Sequence, residues 1–136
     1  MKNPFTVCII DDDKIHQYTT TMLLEKNKVR KNIINFSDGQ QAIDFMLNHK
    51  DDSQKLPNVI LLDINMPVMD GWQFMEAFRK LKSKLRKKIS IYMVSSSNDP
   101  ADTSRAKKIN EIADYLVKPF RSQDIDQVLN KLNRAV

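Results

Sequence analysis

The sequence predicts an α/β fold, a doubly wound parallel sheet of five strands with five helices, and two patterns support that prediction. The first is a series of short apolar runs without alternating polar residues, which is typical of strands covered on both faces. The second is the placement of amphipathic segments with helical spacing between those runs. Because strand and helix alternate along the chain, we expect right-handed crossovers and an open sheet with helices on both faces.

Five segments are predicted to be strands. Four of them are mainly apolar runs, and the remaining one, residues 33–36, is weaker and suits an edge strand. In chain order, the predicted strands are residues 7–10, 33–36, 59–62, 89–94 and 115–117.

The helices are predicted from apolar residues that recur every three or four positions. The predicted apolar faces are Ile15, Tyr18 and Met22 in the first helix, Ala42, Phe45 and Met46 in the second, Phe74, Phe78, Leu81 and Leu85 in the third, and Ile125, Val128, Leu129 and Leu132 in the last. The fourth helix has the weakest face and is predicted over about residues 100–110, because Asp99 suits an N-cap and Pro100 suits the first helical position. The polar stretch 48–57 is predicted to be a long loop.

The composition excludes several classes of protein. The chain has 136 residues, of which 41% are hydrophobic and 29% charged, as in an ordinary globular protein. Its apolar runs are far shorter than the roughly 18 residues of a membrane-spanning helix. The run at residues 7–10 is also too short for a secretory signal, so we expect a cytoplasmic protein with no membrane partner. Cys8 is the single cysteine and is predicted to be a buried apolar residue.

The net charge of +5 raises the question of a nucleic-acid partner. Much of the excess lies within residues 79–88, where no aromatic side chain is present to stack on bases. We therefore favour a solvated helix end and loop, and a nucleic-acid partner is disfavoured.

Polar side chains follow the predicted inner strands. Asp11, Asp12 and Asp13 follow the first strand, Asp63 the third, Ser95, Ser96 and Ser97 the fourth, and Lys118 the fifth. Because the carboxyl ends of parallel strands meet at one edge of the sheet, we expect these groups to form a site there.

The residue types at this edge indicate phosphoryl chemistry. Crowded carboxylates repel one another, and a hard divalent cation relieves that repulsion. Oxygen ligands without histidine or cysteine favour Mg²⁺, or a similar ion such as Mn²⁺, over zinc. The Lys118 ammonium and the Ser95 hydroxyl, together with the metal, match the negative charge of a phosphoryl group in transfer. One carboxylate would then act as the nucleophile.

Four segments resemble the signature motifs of response-regulator receiver domains of two-component systems, and they occur in that family's order. The segments are residues 10–13, 62–71, 94–96 and 117–120. The resemblance covers about residues 5–132 and is nearest to single-domain, chemotaxis-type receivers. It implies a flavodoxin-like strand order of 2-1-3-4-5 and a single receiver domain over residues 1–136.

The resemblance also implies roles for the acidic residues and their neighbour. Asp63 would be the phosphoacceptor and would contact the metal. Asp12 would be a direct Mg²⁺ ligand, whereas Asp11 would act on the metal largely through water. The backbone carbonyl of Asn65 would be the third protein ligand.

The remaining implied roles concern the phosphoryl group and the switch. Lys118 and Ser95 would bind phosphoryl oxygens, and the Lys118–Pro119 peptide bond would be cis. Ser95 also takes the family's Ser/Thr switch position, and Tyr115 takes its aromatic switch position.

The function implied is that of a phosphoacceptor in a phosphorelay. A sensor histidine kinase or a histidine phosphotransfer protein would supply the phosphoryl group from phosphohistidine. Phosphorylation would change the face formed by the fourth helix, fifth strand and fifth helix, to which a downstream protein target binds. The chain would not be an enzyme beyond catalysing its own phosphorylation and dephosphorylation.

Two alternatives stay open at this point. An aspartate-dependent phosphatase usually carries a second acid two residues after its nucleophile, but Asn65 occupies that position here. The other alternative is a receiver-fold interaction module that is not phosphorylated.

Three further residues carry predictions of their own. His16 and His49, the two histidines, are isolated in the sequence and are predicted to face solvent. Trp72 follows Gly71 at the start of a helix and is predicted to be packed rather than catalytic.

Overall fold

The structure, a computed structural model, describes residues 4–134. Its strands are β1 (Phe5–Ile10), β2 (Lys31–Phe36), β3 (Val59–Asp63), β4 (Ser90–Ser95) and β5 (Ile112–Val117). Its α-helices are α1 (Lys14–Lys26), α2 (Gly39–Asn48), α3 (Gly71–Leu81), α4 (Pro100–Lys107) and α5 (Ser122–Arg134), and a short 3₁₀ helix, Lys82–Lys84, follows α3. All the predicted elements are present, although β1, β2 and β5 begin earlier than predicted, β4 is shifted by one residue, and α4 ends earlier.

The strands form one parallel sheet in the order β2-β1-β3-β4-β5, which confirms the predicted topology. The chain runs from β1 outward to β2 and then crosses back to β3, so β1 and β3 are neighbours at the point where the order reverses. The register pairs Asp63 with Val94 and Ser95 with Val117. The carboxyl ends of β1, β3, β4 and β5 therefore lie along one edge.

Apolar side chains alternate between two cores, one on each face of the sheet. In β1, Val7 and Ile9 belong to one core, whereas Cys8 and Ile10 belong to the other. Helices α2, α3 and α4 cover the second core, and α1 and α5 cover the first. All of β3 is buried, as the continuous apolar run predicts for a strand covered on both faces.

The predicted helix faces are confirmed in α2, α3 and α5. Their buried or partly buried apolar residues include Ala42, Phe45, Met46, Phe74, Phe78, Leu81, Ile125, Val128, Leu129 and Leu132. Leu85 is buried as well, but it follows the 3₁₀ helix and is not part of α3 as predicted. The predicted start of α4 is also confirmed, because the Asp99 side chain accepts a hydrogen bond from the Ala101 N–H at 2.9 Å and Pro100 is the first helical residue.

The predicted apolar face of α1 is wrong. Ile15 and Tyr18 are 77% and 66% exposed, and Met22 also faces solvent. The buried residues of α1 are Gln17, Thr20 and Leu24.

Polar contacts at the sheet edge explain why α1 buries a different face from the predicted one. The Gln17 amide donates to the backbone carbonyl of Asp11 and, at 3.2 Å, to that of Phe36, so it satisfies the ends of β1 and β2 together. Asp13 is the N-cap of α1, and its carboxylate accepts hydrogen bonds from the N–H groups of Ile15 and His16. Because buried carbonyls need partners, these contacts decide which face of α1 meets the sheet.

Gly71 begins α3 where the helix passes close to the end of β3. A Cβ atom on Gly71 would lie 2.8 Å from the backbone oxygen of Asp63 and 2.9 Å from the Cα of Ile64. The Gly71 N–H donates to the Ile64 carbonyl at 2.8 Å. Only glycine allows this approach, so Gly71 helps to hold the backbone of Asp63 in place.

We expect Gly71→Ala to lower the free energy of unfolding by about 1–3 kcal/mol, the usual effect of overpacking, because the added methyl group meets backbone atoms. Gly39, the first residue of α2, provides a matched control. A Cβ atom there would lie nearest to the Sδ of Met69, at 3.0 Å, which belongs to a flexible side chain. Chemical denaturation should show a smaller loss for Gly39→Ala, and equal losses would contradict this account.

Candidate functional site

Four side chains meet at the carboxyl edge of the sheet. Asp11 directly follows β1, Asp63 ends β3, Ser95 ends β4, and Lys118 directly follows β5. Asp11, Asp63 and Ser95 are buried, with exposed fractions of 2%, 5% and 1%. The structure thus brings together the groups that the strand-end pattern assigns to this edge.

The Lys118 ammonium lies between two carboxylates. Its Nζ is 3.0 Å from Asp11 Oδ2 and 3.3 Å from Asp63 Oδ2. The backbone N–H of Lys118 donates to the Ser95 carbonyl at 2.8 Å, which extends the pairing of β4 and β5 by one residue. The Lys118–Pro119 peptide bond is cis, the geometry that the family resemblance implies.

The two buried carboxylates differ in their affinity for a proton. Burial and the nearby charge of Asp11 together raise the pKa of Asp63 to about 6, in spite of Lys118. Burial also raises the pKa of Asp11, but hydrogen bonds from His16, the Asp13 N–H and Lys118 outweigh it, so this pKa is lowered to about 2. Asp11 is therefore the firmly ionised partner, and Asp63 is the carboxylate whose charge is least well compensated.

Asp12 adds a third carboxylate to this edge. One oxygen atom from each of Asp11, Asp12 and Asp63 lies within 4.8 Å of the others. Three carboxylates face one ammonium, so the cluster keeps an excess of negative charge that a divalent cation would neutralise. Carboxylate oxygens are ligands that Mg²⁺ prefers, and Asp12 is exposed, which leaves the cluster open to solvent on that side. The donor set therefore fits the predicted metal.

The end of β4 is connected to β5 through Ser97. The Ser95 hydroxyl accepts a hydrogen bond from the Ser97 N–H at 3.1 Å. The Tyr115 hydroxyl donates to the Ser97 carbonyl at 2.8 Å. The two residues at the predicted switch positions thus contact the same residue of the loop between β4 and α4.

The model of the response regulator receiver domain family matches residues 7–130. The chain belongs to this family. It is 24% identical over 131 residues to the "Probable methanogenesis regulatory protein FilR2" of Methanothrix harundinacea, covering 96% of this chain and 83% of that relative. It is 25% identical over 126 residues to the "Two-component response regulator ORR1" of Oryza sativa subsp. japonica, covering 91% of this chain and 53% of the relative.

Solved structures of receivers share the fold. A two component response regulator from Cytophaga hutchinsonii is 27% identical, with a TM-score of 0.86 and coverage of 98% of this chain and 99% of that one. A response regulator receiver protein from Dyadobacter fermentans is 28% identical, with a TM-score of 0.78 and coverage of 94% and 97%. By contrast, the chain spans only about half of some curated relatives, for example 47% of the "Probable transcriptional regulator ycf27" of Guillardia theta.

The receiver's β3–α3 loop contains one strained residue. Val68 has a φ of 69° and is 82% exposed, and the left-handed region is unfavourable for a β-branched side chain. Asp70 ends the loop with a capping box, in which its side chain accepts from the Gln73 N–H and the Gln73 side chain accepts from the Asp70 N–H. Asn65 is exposed in this loop, and the role of its carbonyl as a metal ligand stays a prediction.

The prediction that both histidines face solvent is wrong. The His16 side chain is only 11% exposed, and its Nδ1 lies 2.6 Å from Asp11 Oδ2. Its ring meets Phe120 edge-on, with 5.1 Å between the ring centroids. His49 is partly buried, and its ring centroid lies 4.5 Å from that of Phe45. The available signal for His16 was its place in the first turn of a helix that begins beside the acidic strand end.

The predicted packing of Trp72 is confirmed. The side chain is 9% exposed and belongs to the core beneath α3. The Arg105 guanidinium lies over its ring, 4.3 Å from the centroid, so a cation–π contact connects α3 with α4.

The basic stretch of residues 79–88 precedes β4 and therefore lies at the end of the sheet opposite the acidic cluster. Arg79 pairs with Glu111 at 3.2 Å, and Lys82 pairs with the same carboxylate.

Within residues 4–134, no helix combines the length and the apolar character that a membrane-spanning segment needs.

We expect Asp63→Asn to stabilise the metal-free receiver at neutral pH. Asp63 has a pKa raised from 3.8 to about 6, so its contribution to stability is present below about pH 4 and is lost as the pH rises through 6. A shift of this size corresponds to about 3 kcal/mol. Urea denaturation without divalent cations should show a stability difference between variant and wild type that grows from pH 4 to pH 7. A difference that does not change with pH would contradict the raised pKa.

Proposed function

We propose that this receiver domain accepts a phosphoryl group on Asp63 in a reaction that depends on Mg²⁺. The observation that supports this most strongly is the position of Lys118, 3.0 Å from Asp11 and 3.3 Å from Asp63, beside a cluster of three carboxylates. Such a group of cationic and anionic side chains suits a nucleophile and the charge that develops on a transferred phosphoryl group.

The proposed donor is phosphohistidine. A carboxylate oxygen of Asp63 attacks phosphorus, a P–O bond forms, and the P–N bond breaks with its electron pair left on the imidazole of the donor. The ionised form of Asp63 is the nucleophile. Asp63 ends β3, and the carbonyl of the following residue, Ile64, accepts a hydrogen bond from the Gly71 N–H. The backbone on either side of the nucleophile is therefore held in place.

Lys118 is proposed to move from the carboxylates to a phosphoryl oxygen. In the unphosphorylated protein its ammonium neutralises part of the charge of Asp11 and Asp63. When Asp63 becomes an acyl phosphate, the new negative oxygens extend beyond the carboxylate and offer the ammonium a better partner. Bound Mg²⁺, held by Asp11, Asp12, Asp63 and the Asn65 carbonyl, would supply further neutralisation of that charge.

The proposed switch begins at Ser95. Its hydroxyl accepts a hydrogen bond from the Ser97 N–H and donates none among the described residues, so its proton is available for a phosphoryl oxygen. That movement alters the loop to which Tyr115 is bound through the Ser97 carbonyl. The consequence is a shift between two packings of the face made of α4, β5 and α5, the surface proposed for a downstream protein target.

The exposed apolar residues of α1 support a protein as phosphoryl donor. Ile15 lies in the first turn of α1, two residues after the N-cap Asp13, and Tyr18 follows one turn later. A solvent-exposed stripe of this kind beside a buried site is suited to contact with another protein. The proposed partner is a sensor histidine kinase or a histidine phosphotransfer protein, and cytoplasmic location stays a prediction.

The test of the proposal is incubation with a small acyl-phosphate donor and Mg²⁺, followed by intact-mass measurement. We expect one phosphoryl adduct on the wild-type protein and none on Asp63→Asn. Asp44→Asn changes an exposed carboxylate of α2 whose side chain hydrogen-bonds only Gln40 among residues 4–134, and this control should be phosphorylated like wild type.

The same experiment separates the alternatives. Repeated hydrolysis of phosphate esters, with many turnovers per protein molecule, would favour a phosphatase. A wild-type protein that stays unmodified, with donor and metal shown to be active on another receiver, would overturn the proposal and favour an unphosphorylated interaction module.

A further inference from the structure

His16 contacts the acidic cluster, but the proposed mechanism gives it no role. Its Nδ1 lies 2.6 Å from Asp11 Oδ2, and its side chain is 11% exposed. The backbone N–H of His16 donates to the Asp13 carboxylate at 3.2 Å, which fixes the residue in the capped first turn of α1. The imidazole is thus held by a capped helix start against a carboxylate of the proposed metal site.

Each carboxylate oxygen of Asp11 accepts a hydrogen bond from a residue that follows it closely in the sequence. Oδ1 accepts a hydrogen bond from the Asp13 N–H at 2.9 Å, and Oδ2 accepts one from His16. Lys118 also contacts Oδ2, at 3.0 Å, but it is shared with Asp63. Two of the three donors to Asp11 therefore come from the residues that follow it, and only the third belongs to another element.

The ring of His16 is oriented by packing as well. It meets Phe120 edge-on, and Phe120 lies two residues after Lys118. Its Nε2 is buried and has no hydrogen-bond partner among the described residues. The contact with Asp11 is therefore the one polar interaction of the imidazole that the described residues provide, and it fits the tautomer with a proton on Nδ1.

We propose that His16 is a positioning residue that keeps the Asp11 carboxylate in place for the metal, both in the unphosphorylated protein and when Lys118 moves to the phosphoryl group. This inference rests on the proposed function. In the resting state Lys118 and His16 share Asp11 Oδ2, so the departure of Lys118 leaves His16 as the remaining side-chain donor to that oxygen. Residues that hydrogen-bond a metal ligand orient it, and their loss commonly weakens metal binding.

A different explanation is that His16 only fills space beside Phe120. In that case an apolar side chain of similar size would leave Asp11 and the metal site unaffected. The two explanations differ in the importance of one N–H group, and variants can remove that group while preserving the packing.

The experiment compares His16→Leu with His16→Asn. Leucine removes the donor, whereas the asparagine amide nitrogen is as many bonds from Cα as Nδ1 and can replace it. Binding of Mg²⁺ to the unphosphorylated full chain is measured by NMR shifts of backbone amides, with no phosphoryl donor present. We expect the Kd for Mg²⁺ to rise about tenfold in His16→Leu and to return to near the wild-type value in His16→Asn.

A metal-free measurement gives a second readout. The Asp13 N–H donates to Asp11 Oδ1, so its hydrogen exchange reports whether that carboxylate is held. We expect faster exchange at Asp13 in His16→Leu and recovery in His16→Asn. His49→Leu, which removes the other histidine from its contact with Phe45, should change neither quantity.

The outcomes distinguish this inference from the proposed function. If wild type binds Mg²⁺ and His16→Leu binds it equally well, the positioning role is overturned while the phosphoacceptor proposal stands. If both His16→Leu and His16→Asn lose affinity equally, packing is the cause and the role is again overturned. Absence of Mg²⁺ binding by wild type would overturn the metal site itself. His16→Met, with a flexible apolar side chain, replaces His16→Leu if the latter does not fold.

Discussion

The contact of one lysine with two buried carboxylates is the interaction on which the site depends. Lys118, Asp11 and Asp63 follow or end three different strands and are far apart in sequence. They meet because parallel strands in the order β2-β1-β3-β4-β5 all end at one edge, with β1 beside β3 where the chain reverses direction. The two cores and the close approach of Gly71 serve to hold those strand ends in register.

The negative charges at this edge of the sheet are only partly balanced by positive ones. Burial of charge is unfavourable unless it is paired, and one ammonium cannot satisfy three carboxylates. Hydrogen bonds lower the pKa of Asp11 to about 2, whereas burial and the charge of Asp11 raise that of Asp63 to about 6, so the difference between the two pKa values follows from their surroundings. Of the two buried carboxylates, the one with fewer partners is the proposed nucleophile, and a cation bound beside it would balance the excess negative charge. The shortage of positive charge at this edge therefore accounts both for the raised pKa of Asp63 and for its proposed reaction.

Sequence patterns predict the structure well where the spacing of apolar residues alone determines which residues are buried. They fail where hydrogen bonds between distant polar groups determine it instead. The buried strands and the strand-end polar groups follow from continuous apolar runs, and the fold is thus predictable. Helical spacing places Ile15 and Tyr18 in the core, although both are exposed, because spacing alone cannot reveal that the Gln17 amide satisfies carbonyls at the ends of β1 and β2. The prediction that His16 faces solvent fails for the same reason, since its partner Asp11 belongs to the end of β1.

The central claim is that Asp63, among the acidic residues at this edge, carries the phosphoryl group. Borohydride reduces an acyl phosphate of aspartate to homoserine, so reduction of the phosphorylated protein followed by peptide sequencing locates the modified residue. The account predicts homoserine at position 63 and unmodified aspartate at positions 11 and 12. Homoserine at position 11 or 12, with aspartate retained at position 63, would contradict it.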